Sequence, residues 1–364
     1  MSMDLGYLPE KLDELETHLK KLVSAKKLQC ASYILSRHDK VLACRSMGKL
    51  RCNDETREFK TDSIRRIASI TKMFVAVSIM QLVEKGLIRL DQAVMEILDE
   101  FKPPMYEKIT IFHLLTHTSG IRPDPGVFFE PYPIDWSWND KKEWIKEVLK
   151  GPLCVEPGKE WRYSSVCFSI LGEIVTRVSG TPFEKYVMDN ITGPLGMTSS
   201  FFDVPEKFHN RVCFTNKWEE EWFHRSTERP DWAPPRGGGG LFSTLEDLQK
   251  FGQMLINKGT LNGVRILSRK TVESMTRNHL KNVKSYCWDY NGMEMEYGLG
   301  FNVYSNNTLL SPGSFSHEGA GLSGLYMDPV ENVVFAYMCP MVEGQDWVPE
   351  AVINLRNIAW SGIL

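Results

Sequence analysis

The sequence lacks the excess of basic residues that nucleic-acid-binding proteins usually carry. Its 43 lysines and arginines are balanced by 46 acidic residues, and the formal net charge is −3 at pH 7. Binding to a phosphate backbone usually depends on a surplus or a stripe of positive charge. The sequence therefore predicts that nucleic acid is not a partner.

Long apolar runs are also missing. The longest apolar segment, residues 73–83, is interrupted by Ser78 and Gln81 and is shorter than the roughly 18 residues that a membrane span needs. Residues 1–10 show no basic stretch followed by an apolar one, the pattern of a secretory signal. We therefore predict no membrane partner and a cytoplasmic location. A mature secreted protein would show the same features.

No pattern of metal ligands stands out. The eight cysteines form no CxxC pair and lack the paired spacing of a zinc site, and several lie in apolar surroundings typical of buried thiols. His113 and His117 stand four residues apart, as metal ligands on a helix do, but no acidic residue follows His113 and no third ligand is evident. The sequence predicts neither a metal nor another cofactor.

The distribution of strand-like and helix-like sequence indicates an α+β fold. A chain of 364 residues favours two lobes, and helical patterns dominate the middle from residue 69 to 248. Strands are predicted at 32–36, 41–45, 297–304, 324–327 and 332–339, and further helices at 12–23 and 350–360. We predict an antiparallel sheet lobe from residues 1–67 and 249–364, with a mainly helical lobe, residues 68–248, inserted into it.

The pattern Ser-x-x-Lys occurs three times and is weak by itself. Ser24/Lys27 ends the first predicted helix, where both side chains would face solvent. Ser46/Lys49 contains a glycine and follows a strand, so no helical turn brings its side chains together. Ser69/Lys72 is followed at once by the apolar run of a helix that is predicted to be buried on most faces.

This context gives Ser69 and Lys72 a chemical interpretation. Residues three apart on a helix share a face, and burial lowers the pKa of a lysine, which makes Lys72 a candidate base. The N-terminal N–H groups of the helix would favour negative charge developing near Ser69. The alternative is a serine that caps the helix and a lysine that reaches solvent, and these residues alone do not decide between the two.

Further segments add a family resemblance. Ser69–Lys72 is similar to the nucleophile motif of the serine β-lactamase and penicillin-binding-protein superfamily. The chain resembles in particular the branch of class C β-lactamase-related esterases and D-aminopeptidases. The matching segments are HLLTHTSGI at 113–121, EPGKEWRYSS at 156–165, PLGMT at 194–198, GGGLFST at 238–244, LNG at 261–263 and YGLGF at 297–301.

The resemblance implies roles for further residues. The family motif Tyr-x-Asn reads Tyr163-Ser164-Ser165 here, so the tyrosine is kept and serine replaces asparagine. The family role of Tyr163 is that of general base, which would require a phenolate near pH 7 and a pKa lowered by about three units, roughly 4 kcal/mol. Lys72 nearby is the expected source of that stabilisation.

The third family motif, Lys-Thr-Gly, corresponds to His317-Glu318-Gly319. A histidine in this position resembles the esterase and aminopeptidase members more than the lactamases. The resemblance implies that Ser165, His317 and Gly319 bind substrate. It also implies an oxyanion hole formed by the backbone N–H groups of Ser69 and Ala320.

Two other patterns receive structural interpretations. The glycines of 236–240 lack the Gly-Lys-Ser/Thr of a phosphate loop and are predicted to form a tight turn, followed by a capping box over Ser243–Glu246. Each tryptophan of two tryptophan-rich regions is expected to pack at the surface, and as a set they are candidates for the wall of an apolar substrate pocket. Their members are Trp136, Trp138, Trp144, Trp218, Trp222 and Trp232.

We therefore predict a serine hydrolase that forms an acyl-enzyme on Ser69, with Lys72 and Tyr163 as its proton-handling partners. A carboxylesterase acting on small or lipophilic esters is the preferred activity. A β-lactamase, a D-amino-acid amidase or peptidase, and an acyltransferase are alternatives on the same scaffold, and a non-catalytic binding homologue is a further one. The partner is predicted to be a small ester or amide, and the oligomeric state is not readable from the sequence.

Overall fold

The structure is a computed structural model that describes residues 2–124, 141–226, 229–288, 291–305, 308–342 and 349–364. Its α-helices are α1 (Pro9–Ser24), α2 (Thr71–Glu84), α3 (Ile111–Leu115), α4 (Trp144–Val148), α5 (Ser165–Ser179), α6 (Phe183–Val187), α7 (Lys217–Ser226), α8 (Leu245–Ile256), α9 (Arg269–Met275) and α10 (Pro349–Trp360).

The strands follow in chain order. They are β1 (Cys30–Arg37), β2 (Lys40–Arg51), β3 (Asp54–Glu58), β4 (Arg65–Arg66), β5 (Glu160–Trp161), β6 (Phe242–Ser243), β7 (Thr260–Leu261), β8 (Val264–Arg265), β9 (Lys284–Ser285), β10 (Met293–Glu294), β11 (Asn302–Tyr304), β12 (Ser314–Gly319), β13 (Ser323–Asp328) and β14 (Val333–Met338).

One antiparallel sheet unites the two ends of the chain. Its strand order is β11-β12-β13-β14-β1-β2-β3, and β1 pairs with β14 through a register in which Tyr33 lies opposite Tyr337. The prediction that the terminal parts share one antiparallel sheet is therefore confirmed.

Helices cover both faces of this sheet. On one face α1 and α10 pack over aromatic residues of the sheet such as Tyr33, Phe335 and Tyr337. On the other face α8 lies so close that a Cβ on Gly252 would come within 2.7 Å of Val334. A glycine at this point permits the close approach of helix and sheet.

Helix α2 is the central element of the molecule. It is buried at every position from Thr71 to Leu82, as expected for a helix that is apolar on most faces. Phe74 stacks on Phe251 of α8 with ring centroids 4.0 Å apart, and α5 packs along another side. Ser69 lies two residues before this helix, in a turn that contacts β12 and β13 of the sheet.

The division into two lobes stays a prediction, while two predicted positions can be compared with the ends of α8. The lobe boundary at residue 249 falls inside α8, and this whole helix packs against the sheet. The cap of α8 is Thr244, whose side chain accepts from the backbone N–H of Asp247, so the capping interaction lies one residue later than the predicted box.

The extended prediction at 297–304 shrinks to β11, because Gly298 and Gly300 introduce a turn, with a φ of 81° at Gly300. Strand β12 was not predicted from its alternation pattern, since SFSHEG contains no β-branched residue.

Candidate active site

Ser69 lies in a short 3₁₀ turn, Ala68–Ile70, directly before α2. The turn is fixed from two sides: the Thr71 hydroxyl donates to the carbonyl of Ala68 at 2.7 Å, and the Ser323 hydroxyl of β13 donates to that of Ile67 at 3.2 Å. Ala68 has a φ of 44°, a conformation that non-glycine residues seldom adopt. Ser69 remains partly exposed, as a residue that attacks a substrate must be.

Lys72 lies one helical turn after Ser69 and is fully buried. Its Nζ is 3.0 Å from the Ser69 Oγ, 2.9 Å from the Ser165 Oγ and 2.6 Å from the carbonyl oxygen of Gly238. Burial lowers the pKa of this amine from 10.5 to about 8, although the nearby Asp124 acts in the opposite direction. A lysine with this pKa is neutral in a substantial fraction of molecules near pH 7.5, which a base requires.

Ser165 is held by a carboxylate that no sequence motif identified. Asp124 accepts the backbone N–H of Ser165 through one oxygen and its hydroxyl, at 2.5 Å, through the other. Burial raises the pKa of Asp124, while Lys72 and Ser165 lower it. Lys72, Ser165 and Asp124 therefore form a continuous hydrogen-bonded chain that starts at Ser69.

Tyr163 stands beside this chain, in the segment between β5 and α5. The side chains of Ser69 and Ser165 lie near its hydroxyl and act to lower its pKa, and the Lys72 Nζ is 4.8 Å from its ring centroid. The pKa of Tyr163 is nevertheless raised, first by burial and then by the negative charge of Asp124. Desolvation therefore disfavours the phenolate of Tyr163, which is opposite in direction to the lowered pKa expected from the sequence.

The ring of His117 packs against that of Tyr163. Its ring centroid is 4.5 Å from that of Tyr163, and its Nδ1 accepts the backbone N–H of Ser164 at 3.1 Å. Burial and the proximity of Lys72 hold its pKa well below the ordinary value, so it is neutral. The structural role predicted for His113 is seen as well, because its Nδ1 lies 3.2 Å from the backbone N–H of Thr110 at the start of α3.

The third motif lies on β12, and the ring centroid of His317 is 6.4 Å from that of Tyr163. The Nδ1 of His317 donates to the carbonyl oxygen of Glu318 at 2.7 Å. Burial and the nearby Lys72 lower the pKa of His317 to about 3. Its Nε2, which has no hydrogen-bond partner within the described part of the chain, is therefore an acceptor in a neutral ring.

The end of β12 runs against the segment that leads into Ser69. A Cβ on Gly319 would lie 2.2 Å from the carbonyl oxygen of Ile67, so a side chain does not fit there. Ala320 follows directly and is exposed. This approach brings the backbone of Ala320 close to the turn that carries Ser69.

Of the six tryptophans named as candidates for a pocket wall, the structure describes four. Trp136 and Trp138 lie outside the described residues, Trp144 is buried in α4, and Trp218 and Trp232 are exposed at the surface. Trp222 packs near Phe242, with ring centroids 6.3 Å apart.

The rings beside Tyr163 are instead those of Trp161 and Trp288, with centroids 5.9 and 5.3 Å away. Trp288 is 41% exposed and offers an apolar surface at the entrance.

The described residues contain no cluster of three or more histidine, cysteine or acidic side chains able to hold a metal ion. Among the helices of the same described ranges, none is both long and apolar enough to cross a membrane.

The arrangement places a serine hydroxyl within hydrogen-bonding distance of a buried lysine, with neutral polar side chains around them. The beta-lactamase family model matches residues 13–355, a span that contains all of these groups. The chain belongs to the beta-lactamase family. The predicted resemblance and the predicted fold are thereby confirmed, and the protein is a serine hydrolase of this family.

Proteins named for different activities are similar to this chain. The esterase EstB of Burkholderia gladioli is 32% identical over 221 residues, which are 57% of this chain and 55% of EstB. Monacolin J acid methylbutanoyltransferase of Aspergillus terreus is 27% identical over 296 residues, 72% of this chain and 69% of that protein.

The structure of simvastatin synthase (LovD) from A. terreus shares the fold. It superposes with a TM-score of 0.77 at 21% identity and covers 97% of this chain and 98% of its own.

Proposed function

We propose that this protein is a carboxylesterase that acts on small or lipophilic esters through an acyl-enzyme on Ser69. The observation that carries the choice of nucleophile is the 3.0 Å contact between the Ser69 Oγ and the Nζ of a buried lysine whose pKa is about 8. The neutral amine of Lys72 takes the hydroxyl proton as the Ser69 Oγ adds to the ester carbonyl.

The tetrahedral oxyanion then accepts hydrogen bonds from the backbone N–H groups of Ser69 and Ala320. Its collapse breaks the bond to the alcohol oxygen. The neutral Tyr163 hydroxyl donates a proton to that oxygen, and the Lys72 ammonium replaces the proton. Water then adds to the acyl-enzyme as Lys72 takes one of its protons. The second tetrahedral intermediate collapses, the bond to the Ser69 Oγ breaks, and the Lys72 ammonium returns the proton to that oxygen as the carboxylic acid leaves.

Esters are favoured over β-lactams because of two side chains. Lactamases of the family carry lysine where this chain has His317 and asparagine where it has Ser165. A neutral His317 gives no charge-assisted contact to a drug carboxylate, a loss of about 1.5–3 kcal/mol or roughly ten- to a hundred-fold in kcat/KM. Ser165 directs its hydroxyl proton to Asp124 and has no amide to offer an acylamino side chain.

The test compares kcat/KM for p-nitrophenyl butyrate and nitrocefin in one buffer at pH 7.5. We expect the ester to be turned over far better, and His317→Lys to narrow the gap by raising the nitrocefin value. Nitrocefin turnover equal to ester turnover in the unmodified protein would contradict the esterase preference. Low rates on both, with Ser69 acylated, would point to a D-amino-acid amide.

Acyl transfer to an alcohol is a second candidate. The similarity to the methylbutanoyltransferase and the exposed Trp288 beside Tyr163 favour an apolar alcohol that competes with water for the acyl group. Adding such an alcohol during ester turnover and quantifying new ester against free acid by mass spectrometry distinguishes the two. Product that is entirely acid at every alcohol concentration would exclude transfer.

A further inference from the structure

The hydrogen bonds around Lys72 determine which way its lone pair points. Its nitrogen has three close oxygens, on Ser69, Ser165 and Gly238. A neutral amine has only two N–H groups and one lone pair. The lone pair reaches the Ser69 proton only if both N–H groups are directed to the other two oxygens.

One of those two oxygens can only accept. The carbonyl oxygen of Gly238 has no proton and lies at 2.6 Å, so it holds the first N–H. The hydroxyl of Ser165 is different, because an isolated hydroxyl can donate to the amine as readily as accept from it. A proton donated by Ser165 would occupy the lone pair and turn it away from Ser69.

Asp124 removes this ambiguity. One carboxylate oxygen accepts the backbone N–H of Ser165 and the other accepts its hydroxyl proton. Since a serine has a single hydroxyl proton, the Ser165 Oγ then faces Lys72 as an acceptor only. The second N–H is held, and the lone pair is left for Ser69.

We propose that Asp124 is a positioning residue of the active site, which fixes the Ser165 hydroxyl as an acceptor and so aims the lone pair of Lys72 at Ser69. The Ser165–Asp124 pair thereby does the work of the asparagine that the family motif has at this position, whose amide oxygen is also an acceptor. The inference rests on the proposed function, in which Lys72 is the base.

Other charged and titratable groups surround the pair. Tyr163, Cys167, His117 and His317 lie near Lys72, and the first two also interact with Asp124. Burial keeps Tyr163 and Cys167 protonated and both histidines neutral near pH 7.5. Asp124 is thus the negative group that acts on the Lys72 amine in this range.

The test variant is Asp124→Asn. The backbone N–H of Ser165 can only donate, so the new amide must present its oxygen there and its NH₂ to the Ser165 hydroxyl. The hydroxyl proton is then forced towards Lys72. We expect kcat/KM for p-nitrophenyl butyrate to fall roughly 100-fold, the usual effect of losing a general base. The acidic limb of its pH profile should move to lower pH, because the attraction that favours the Lys72 ammonium is gone.

Asp247→Asn is the matched control. Asp247 is a buried carboxylate that also accepts a backbone N–H, from Ser199 at 2.8 Å, and a serine hydroxyl, from Ser200 at 2.9 Å. It lies in α8, outside the set of groups around Ser69. We expect its substitution to lower Tm without shifting the acidic limb.

A double variant separates positioning from a merely structural role. Deleting the reversed hydroxyl in Asp124→Asn/Ser165→Ala frees the lone pair, so we expect activity to rise about five-fold above Asp124→Asn alone, the worth of one hydrogen bond. If Asp124 has only a structural role, Asp124→Asn/Ser165→Ala should be no more active than Asp124→Asn. That result, or an Asp124→Asn enzyme within three-fold of the original with an unshifted limb, would overturn the inference.

These failures are distinct from failure of the proposed function. If Ser69→Ala keeps its esterase activity, the nucleophile is wrong and the experiments on Asp124 lose their basis. If Ser69→Ala is inactive while Asp124→Asn behaves like the original enzyme, only the role of Asp124 is wrong.

Discussion

Two Ser-x-x-Lys pairs of this chain have the same spacing and opposite surroundings. Ser24 and Lys27 lie at the end of α1 and just beyond it, and both are exposed. Ser69 and Lys72 lie at the start of α2, where the lysine is fully buried. The two pairs therefore differ in surroundings and not in spacing. Apolar residues around α2 shield the Lys72 amine from water, and nearby hydrogen-bond acceptors orient it.

The largest expected effect is on catalysis. Ser69→Ala should lower kcat/KM for p-nitrophenyl butyrate at least about 1000-fold, because no other group can take over covalent catalysis. Ser24→Ala is the matched control and should leave the rate unchanged. Thermal melting should show both variants folded, since losing one hydroxyl opens almost no cavity. Loss of activity in Ser24→Ala together with retained activity in Ser69→Ala would contradict the assignment of Ser69 as the nucleophile.

The pH dependence sharpens the contrast between the two lysines. Lys72 acts as a base only when neutral and its pKa is about 8, so kcat/KM should rise as the pH increases through about 8. Lys27→Met should leave this profile unchanged. Rates measured from pH 6 to 9.5 on one ester test this, and a profile that is flat or falls across pH 7–9 would exclude Lys72 as the titrating base.

A smaller effect is expected on stability. The pKa of Lys72 is about 8 in the folded protein against an ordinary value of 10.5, so between these values the unfolded chain binds more protons. Stability therefore rises with pH in this window, and the cost of burying the ammonium is fully present below about pH 8. From pH 7 to 10 the free energy of unfolding should rise by about 2 kcal/mol relative to Lys72→Met.

Urea unfolding at both pH values measures this difference. The same comparison with Lys27→Met should show no pH-dependent difference, because Lys27 is exposed in the folded protein. An equal response of both variants would mean that burial of Lys72 has little influence on its proton affinity.

The sequence alone was sufficient to predict the helices and strands that contain a long apolar run. The apolar run after Lys72 predicted a buried helix, and this helix is α2. The apolar stretch before Cys339 predicted a strand that is now β14. Such elements can be predicted from the sequence because a helix or strand that is buried along its length needs apolar residues at most of its positions.

Groups that reach the site through tertiary contacts were not predictable. Asp124 belongs to no motif, and it reaches Ser165 through contacts between segments that are distant in sequence, such as the bond from its backbone N–H to the carbonyl of Tyr163 at 3.0 Å. The direction of the Tyr163 pKa was missed for a similar reason. The charge of Lys72 is visible in the sequence, whereas the depth of burial of the tyrosine is not.

The most direct test of the central claim is intact-mass analysis of an enzyme quenched in acid during turnover of p-nitrophenyl butyrate, followed by peptide mapping. We predict one acyl group per chain, carried by Ser69, and none on Ser69→Ala. A catalytically active enzyme with no acyl adduct at any quench time, or an adduct on a different residue that persists in Ser69→Ala, would contradict an acyl-enzyme at Ser69.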